Sequence, residues 1–243
     1  MKKHKLNELE SIEKFSGGVT HELNTPLTYT LANVELLISD IKTLDDSIET
    51  KSYLIEDANT ILDGLHRITN VVELLKELSF ENSEIPQDSD IVEILKNSLT
   101  LLYNHSKPIS KITLQDTLFD LNFEKEIPKI VINAQKNRLE TLFKVIILNA
   151  LDALKRVTEV DDRVLKITIL NEINSVTISF QDNGLGIGST VLKHLFQDVV
   201  NDRKDGGMGI GLKVAKDIVK AHKGKISATN SNGGALFKIT LPL

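Results

Sequence analysis

A chain of 243 residues with 41% apolar content is long enough for one large domain or two ordinary globular ones. Its net charge of −5 is spread over both signs, without a block of Lys and Arg interleaved with aromatics, so no nucleic-acid partner is expected. The lack of cysteine excludes disulfides and thiolate metal sites. The basic start Met1-Lys-Lys-His-Lys5 is not followed by an apolar stretch and does not read as a signal peptide. The longest apolar run, Val145 to Leu148, is far too short for a membrane span, so the expected location is the cytoplasm.

In chain order, residues 6–42 predict one long helix. Ile12, Phe15, Val19, Leu23, Leu27, Leu31, Val34, Ile38 and Ile41 recur at steps of three or four. Pro26 should kink it, because proline donates no N–H to the ladder. Thr43 to Lys51 is short and polar and suits a turn between helices. A second helix is expected to about Phe80, with Leu54, Ala58, Ile61, Leu65, Ile68, Val72 and Leu75 forming a coiled-coil seam. Val71, Leu74 and Leu78 add a second stripe. A lone hairpin cannot bury both stripes, so a homodimeric four-helix bundle is the expected form, the alternative being a hairpin packed on its own C-terminal domain.

The polar, proline-containing stretch Glu81 to Asp90 predicts a domain boundary, giving units over 1–82 and 83–243. Asp90 should cap a helix running to about Asn104. Strands are expected over Lys111–Leu114, Lys129–Asn133, Arg163–Leu170 and Ser175–Gln181, the last two joined by the hairpin Asn171-Glu-Ile-Asn174. Lys136–Val157 predicts a helix, another should follow Ile210, and Lys225–Thr229 and Ala235–Leu241 predict two more strands. The whole is α+β: a helical hairpin, then an α/β sandwich with a mixed sheet and helices on one face.

His21 lies in Phe15-Ser-Gly-Gly-Val-Thr-His21-Glu22-Leu-Asn-Thr25-Pro26-Leu27. Two residues along a helix is about 200° of rotation, so His21 points away from the stripe through Val19 and Leu23. An imidazole so placed is either a plain surface histidine or a phosphoryl acceptor with a free ring nitrogen. Glu22 could take the ring N–H, and Thr25, one turn along the same face, could hold a water. A zinc-protease His-Glu-x-x-His is excluded, since position 25 is Thr.

Three further pieces follow downstream: Asn149-Ala-Leu-Asp152-Ala, Asp182-Asn-Gly184-Leu-Gly186-Ile-Gly188 and Gly207-Met-Gly209-Ile-Gly211. A dinucleotide fingerprint fails because position 189 is Ser, and a P-loop fails because position 212 is Leu. Singly, each glycine run also fits an ordinary turn. Together they fit a different nucleotide site. Asp182 can accept from an adenine amine, and Gly184 and Gly186 let backbone approach the base. Gly207, Gly209 and Gly211 open a helix whose N–H groups can bind phosphate. Asn149 can supply an oxygen to Mg²⁺. Arg203 and Lys204 can contact the terminal phosphate from a polar segment, Gln197–Gly206, that reads as a mobile lid.

In this order and spacing the pieces resemble the transmitter region of the sensor histidine kinases of two-component signalling. Its ATP-binding fold is similar to that of type II topoisomerases, Hsp90 chaperones and MutL proteins. His21-Glu-Leu-Asn-Thr-Pro resembles the family's H box. Asn149 to Ala153 resembles its N box, with Asn149 as magnesium ligand and Asp152 among the nucleotide-binding residues. Asp182 to Gly186 resembles the adenine-contacting G1 box, Leu195-Phe196 the F box, and Gly207 to Leu212 the G2 box. Gly233 to Pro242 resembles the family's last strand pair. Asn24 departs from the usual Arg, and Val145 from a usual polar residue. Only about twenty residues precede His21, so a sensor is expected to be a separate domain or protein.

The resemblance implies an ATP-dependent protein histidine kinase. It would autophosphorylate His21, with Glu22 assisting, and pass the phosphoryl group to an aspartate on a response regulator receiver domain. It would also dephosphorylate that regulator, with Thr25 orienting water. The alternative is an ATP-binding regulator-phosphatase or a non-catalytic signalling scaffold. An anti-sigma serine kinase would share the ATP fold but lack the hairpin with His-Glu-x-x-Thr-Pro.

Overall fold

The computed structural model describes residues 27–45, 50–79, 85–107, 109–196 and 210–243. The chain divides into two compact units, residues 1–83 and 84–243.

In the first unit, helix α1 covers 27–43 and helix α2 covers Lys51–Ser79. Lys51 Nζ donates to the Leu44 carbonyl at 2.7 Å, tying the start of α2 to the end of α1. Val34, Ile38 and Ile41 of α1 pack with Ala58 of α2, flanked by Ile55, Leu62 and Leu65. Val72 is buried further along. The seam expected on α2 is therefore split. Ala58, Leu65 and Val72 belong to the packed side, whereas Leu54, Ile61 and Ile68 are 42%, 52% and 49% exposed. Steps of four and three join positions that a straight helix rotates apart, which separates the two subsets onto neighbouring faces. The kink at Pro26 and the part of the long helix before residue 27 lie outside the described residues.

The second unit is α+β with a mixed sheet. Its strands are β1 (Gln87–Asp90), β2 (Lys111–Leu114), β3 (Thr117–Leu118), β4 (Val131–Ala134), β5 (Val164–Asn171), β6 (Ser175–Asp182), β7 (Lys225–Ser231) and β8 (Gly234–Pro242). Its helices are α3 (Ile91–Ser106), α4 (Lys136–Leu154), α5 (Ser189–His194) and α6 (Ile210–Ala221). Six strands pair in the order β3-β2-β5-β6-β8-β7, parallel only between β2 and β5. Alternation along the strands puts one apolar row inward: Leu165, Ile167 and Ile169 of β5, Val176, Ile178 and Phe180 of β6, Phe237 and Ile239 of β8. Onto this row α4 lays Leu139, Leu142, Phe143 and Ile146, all fully buried. The Phe143 and Phe180 rings meet at 6.1 Å. Each such side chain contributes about 1.5–3 kcal/mol by leaving water, so the α4–β6 contact is a principal support of the unit.

Asp90 caps α3 as expected, accepting from Val92 N at 3.0 Å, and the helix runs on to Ser106. The capping side chain of α4 comes from elsewhere. Gln135 N donates to His222 Nε2 at 3.0 Å, while His222 Nδ1 bonds the Ile218 carbonyl at 2.8 Å. The ring is thus in its Nδ1-protonated tautomer, joining the start of α4 to the end of α6.

Two strands depart from the sequence expectation. Gln-Asp-Ser-Asp, read as part of a linker, is β1, paired antiparallel with β4 in a separate two-stranded sheet. Its composition carries no strand signal; the edge of β4 supplies one. β3 follows a tight turn in which Gln115 and Asp116 both have positive φ, 51° and 63°. Such turns favour Asn-Gly, and Gln-Asp hides the signal. The strain is offset by side-chain contacts. Gln115 Nε2 donates to the Ile169 carbonyl at 2.9 Å, and its Oε1 accepts from Ile169 N at 3.2 Å. Lys166 Nζ pairs with Asp116 at 2.6 Å. Gln115→Ala removes both bonds to β5, so we expect it to lower stability by about 1–2 kcal/mol. Thermal unfolding should register this as a drop of several degrees.

Candidate nucleotide-binding site

Asp182 ends β6 and is the only carboxylate among the described residues that is buried, at 2% exposed. Burying a charge is unfavourable unless it is hydrogen-bonded, and here it is. Oδ1 accepts from Gly184 N at 2.9 Å and from Ala235 N at 3.1 Å. Both bonds fall on one oxygen, which leaves Oδ2 to accept from a ligand. The close approach that makes this possible is set by Gly234. A Cβ there would lie 2.0 Å from the Asp182 carbonyl oxygen, so β8 can begin against Asp182 only with glycine.

The next residue, Asn183, pins the strand end. Its Oδ1 accepts from Val164 N at 2.8 Å and its Nδ2 donates to the Asp162 carbonyl at 2.6 Å. The loop then runs close to the last turns of α4: a Cβ on Gly184 would come within 3.2 Å of Ala153. Arg163 secures that helix end, donating through Nε to the Val157 carbonyl at 2.8 Å.

One turn before Ala153 on α4, the Asn149 amide is half-buried and oriented. Nδ2 donates to the Val145 carbonyl at 2.7 Å, so Oδ1 is the atom left to accept or to ligate. The donor set fits Mg²⁺, which takes oxygen ligands and few protein side chains when phosphates supply the rest. Asp152 is exposed and lies 3.9 Å from Lys155 Nζ. Three residues along the helix from Asn149 is about 300° of rotation, so Asp152 lies on the neighbouring part of that face, open to solvent.

Gly186 has φ of +71°, a conformation that favours glycine. α5 follows, and Leu195 is buried beyond it. Phe196 meets Phe237 of β8 edge-on at 6.5 Å, and its carbonyl accepts from Lys216 of α6 at 3.1 Å. Gly211 lies in the first turn of α6. Arg203, Lys204, Gly207 and Gly209 lie outside the described residues, as do His21, Glu22 and Thr25.

Of the expected residues, the structure brings Asp182, Gly184 and Gly186 into one loop beside the end of the helix that carries Asn149. It adds Asn183, Gly234 and Ala235, which sequence reasoning left out. Only the pairing of β8 with β6 reveals the last two.

This mixed sheet, covered by α4 and α6 and ending in a buried aspartate beside a glycine loop, defines a class of ATP-binding domain. Residues 134–243 match the family described as "Histidine kinase-, DNA gyrase B-, and HSP90-like ATPase". Similarity extends over 98% of the chain to the sensor protein kinase WalK of Staphylococcus haemolyticus, at 28% identity and 38% of that protein's length. Sporulation kinase E of Bacillus subtilis is 27% identical over 98% of the chain and 30% of its own length. Among solved structures, full-length ShkA in complex with AMPPNP covers 94% of the chain and 45% of its own, with a TM-score of 0.58 at 18% identity. Histidine kinase ThkA, solved in complex with response regulator protein TrrA, covers 100% of the chain and 67% of its own, with a TM-score of 0.57 at 19% identity. At such identities the structural likeness is one of fold. The chain matches the transmitter region of a two-component sensor histidine kinase, with a GHKL-type ATP-binding domain at its C-terminal end. It spans 38% of the length of the first of these relatives.

Asn149→Ala is expected to leave adenosine binding intact and to reduce Mg²⁺-dependent phosphorylation by at least about ten-fold, the loss of one charge-assisted contact. Calorimetric titration with adenosine, beside label transfer from ATP, checks this. Equal loss of both would mean a disturbed helix.

Proposed function

We propose that the chain is an ATP-dependent protein histidine kinase that phosphorylates His21 and passes the phosphoryl group to an aspartate of a response regulator. Residues 1–82 serve as the dimerisation and phosphotransfer hairpin and residues 83–243 as the catalytic ATP-binding domain. The observation that carries the reading is the buried Asp182, whose Oδ1 holds two backbone N–H groups while Oδ2 can accept from the adenine amine. An exocyclic amine meeting a fixed carboxylate oxygen selects adenine over a base with a carbonyl there.

The rest of the work is positioning and charge neutralisation, as in other phosphoryl transfers. Asn149 Oδ1 would hold Mg²⁺, which neutralises charge on the phosphates. Gly207, Gly209 and Gly211 offer backbone N–H groups to the phosphates, and Arg203 and Lys204 reach the terminal one. His21 presents a neutral ring nitrogen to the γ-phosphorus, and Glu22 holds the other ring N–H. The P–O bond to ADP breaks as the N–P bond forms. Thr25 orients water for the reverse task, hydrolysis of the regulator's phospho-aspartate. The proposed place of action is the cytoplasm. No helix among the described residues is long and apolar enough to cross a membrane.

Incubation with γ-labelled ATP, then acid and base treatment, tests the reading. Label that is stable to base and lost in acid is expected. Label that survives acid would mark a hydroxyl acceptor, as in a serine kinase, and overturn the assignment of His21; no label at all would favour a regulator-phosphatase or scaffold.

A homodimer completes the proposal. Leu54, Ile61 and Ile68 of α2, seven residues apart, Leu37 of α1 and Leu44 just beyond its end are exposed, as a seam covered by a second copy requires. Ile61→Glu should convert a dimer to a monomer with its helices retained, read by sedimentation and circular dichroism. A parent protein that sediments as a folded monomer at micromolar concentration would contradict the bundle.

A further inference from the structure

Asn230 lies on β7, on the far side of β8 from Asp182, and none of the sequence motifs includes it. Its side chain nevertheless reaches the loop after Asp182 and makes two hydrogen bonds to one residue. Asn230 Oδ1 accepts from Ile187 N at 2.8 Å, and Asn230 Nδ2 donates to the Ile187 carbonyl at 2.8 Å. A side-chain amide bonded to both main-chain groups of one residue imitates a neighbouring strand. It therefore fixes the backbone of Ile187 and, through it, that of Gly186.

The same amide closes over Gly186 from the side. A Cβ at Gly186 would come within 3.1 Å of Asn230 Oδ1 and 3.3 Å of Asn230 Cγ. Gly186 is thus held by two constraints at once, its φ of +71° and the amide stacked against it. The loop has few other anchors here. Leu185 is 72% exposed, and a Cβ at Gly188 would meet nothing within 4 Å. Asp182 and Asn230 accordingly hold the loop from opposite ends, one at Gly184 and the other at Ile187.

From this geometry we infer that Asn230 is a positioning residue for the nucleotide. It touches no reacting atom; it holds the Gly184–Ile187 backbone in the shape that receives the base. The inference rests on the adenine reading of Asp182 and extends it to a strand outside the glycine motifs. An ordering contact of this kind affects binding of the base and leaves the transfer step alone.

The test uses the full chain and the variants Asn230→Ala, Gly186→Ala and the two combined. Affinities for ATP, ADP and adenosine are measured calorimetrically at a temperature where circular dichroism shows every variant folded. Asn230→Ala should weaken all three ligands by about ten-fold, the loss of two neutral hydrogen bonds. Label transfer from ATP should show a raised KM with kcat near that of the parent. The double variant should bind better than the product of the two single losses predicts, because both substitutions break one clamp. Parent-like affinity in Asn230→Ala would overturn the inference, and so would losses that multiply independently. A loss of kcat at unchanged KM would overturn it too, as it would mark a role in transfer. A parent protein that binds none of the three ligands would instead sink the adenine reading itself.

Discussion

Replacing His21 by Gln is expected to abolish transfer of label from ATP to the chain while nucleotide affinity stays at the parent value. Helical spacing predicts His21 about 200° round from both Val19 and Leu23, off the apolar stripe, so loss of the ring is expected to remove no packing. It also lies outside the unit over residues 84–243 that contains Asp182. Glutamine retains polarity and similar length but has no nucleophilic ring nitrogen. The expected drop is complete, because no second residue of His-Glu-x-x-Thr-Pro can form the same acid-labile bond. Label on any other histidine of the variant would overturn the assignment.

Asp182→Asn should weaken ATP and ADP binding by roughly ten- to a hundred-fold, the loss of a hydrogen bond from a charged group with its replacement by an opposing donor. The geometry separates binding from folding. An asparagine Oδ1 can still accept from Gly184 N and Ala235 N, as the aspartate does. The amide nitrogen then stands where Oδ2 stood and points a donor at the amine of the base. Removing a buried charge is not itself unfavourable. Thermal unfolding without nucleotide should therefore shift little, and calorimetric titration should show the loss. Parent-like affinity would remove Asp182 from the adenine contact.

Much of the C-terminal unit was legible because its elements are amphipathic in the ordinary way. The helix from Lys136, the hairpin around Asn171 to Asn174 and the last strand pair all fall near their expected positions. Boundaries moved where an unseen partner supplied the missing bonds. β7 and β8 run on to Ser231 and Gly234 because Asn232 and Gly233, at φ of 51° and 88°, make a two-residue hairpin turn. The same dependence on a partner hid β1 and β3.

The site divides along the same line. Asp182, Gly184, Gly186 and Asn149 stand out in one dimension, since a glycine run after a strand and an Asn-Ala-Leu-Asp on a helix are local patterns. Local pattern also predicts His21 off its helix stripe, a position outside the described residues. What the sequence could not disclose is which oxygen of Asp182 is occupied, how the Asn149 amide is turned, and that Gly234, Ala235 and Asn230 hold the glycine loop. The Asn149 amide is turned locally, by Val145 four residues back, but the contacts of Ala235 with Asp182 and of Asn230 with Ile187 join residues 53 and 43 positions apart across β6, β8 and β7. Chain order names the candidate groups. Strand pairing, a long-range and cooperative matter of register, decides the geometry in which they are held.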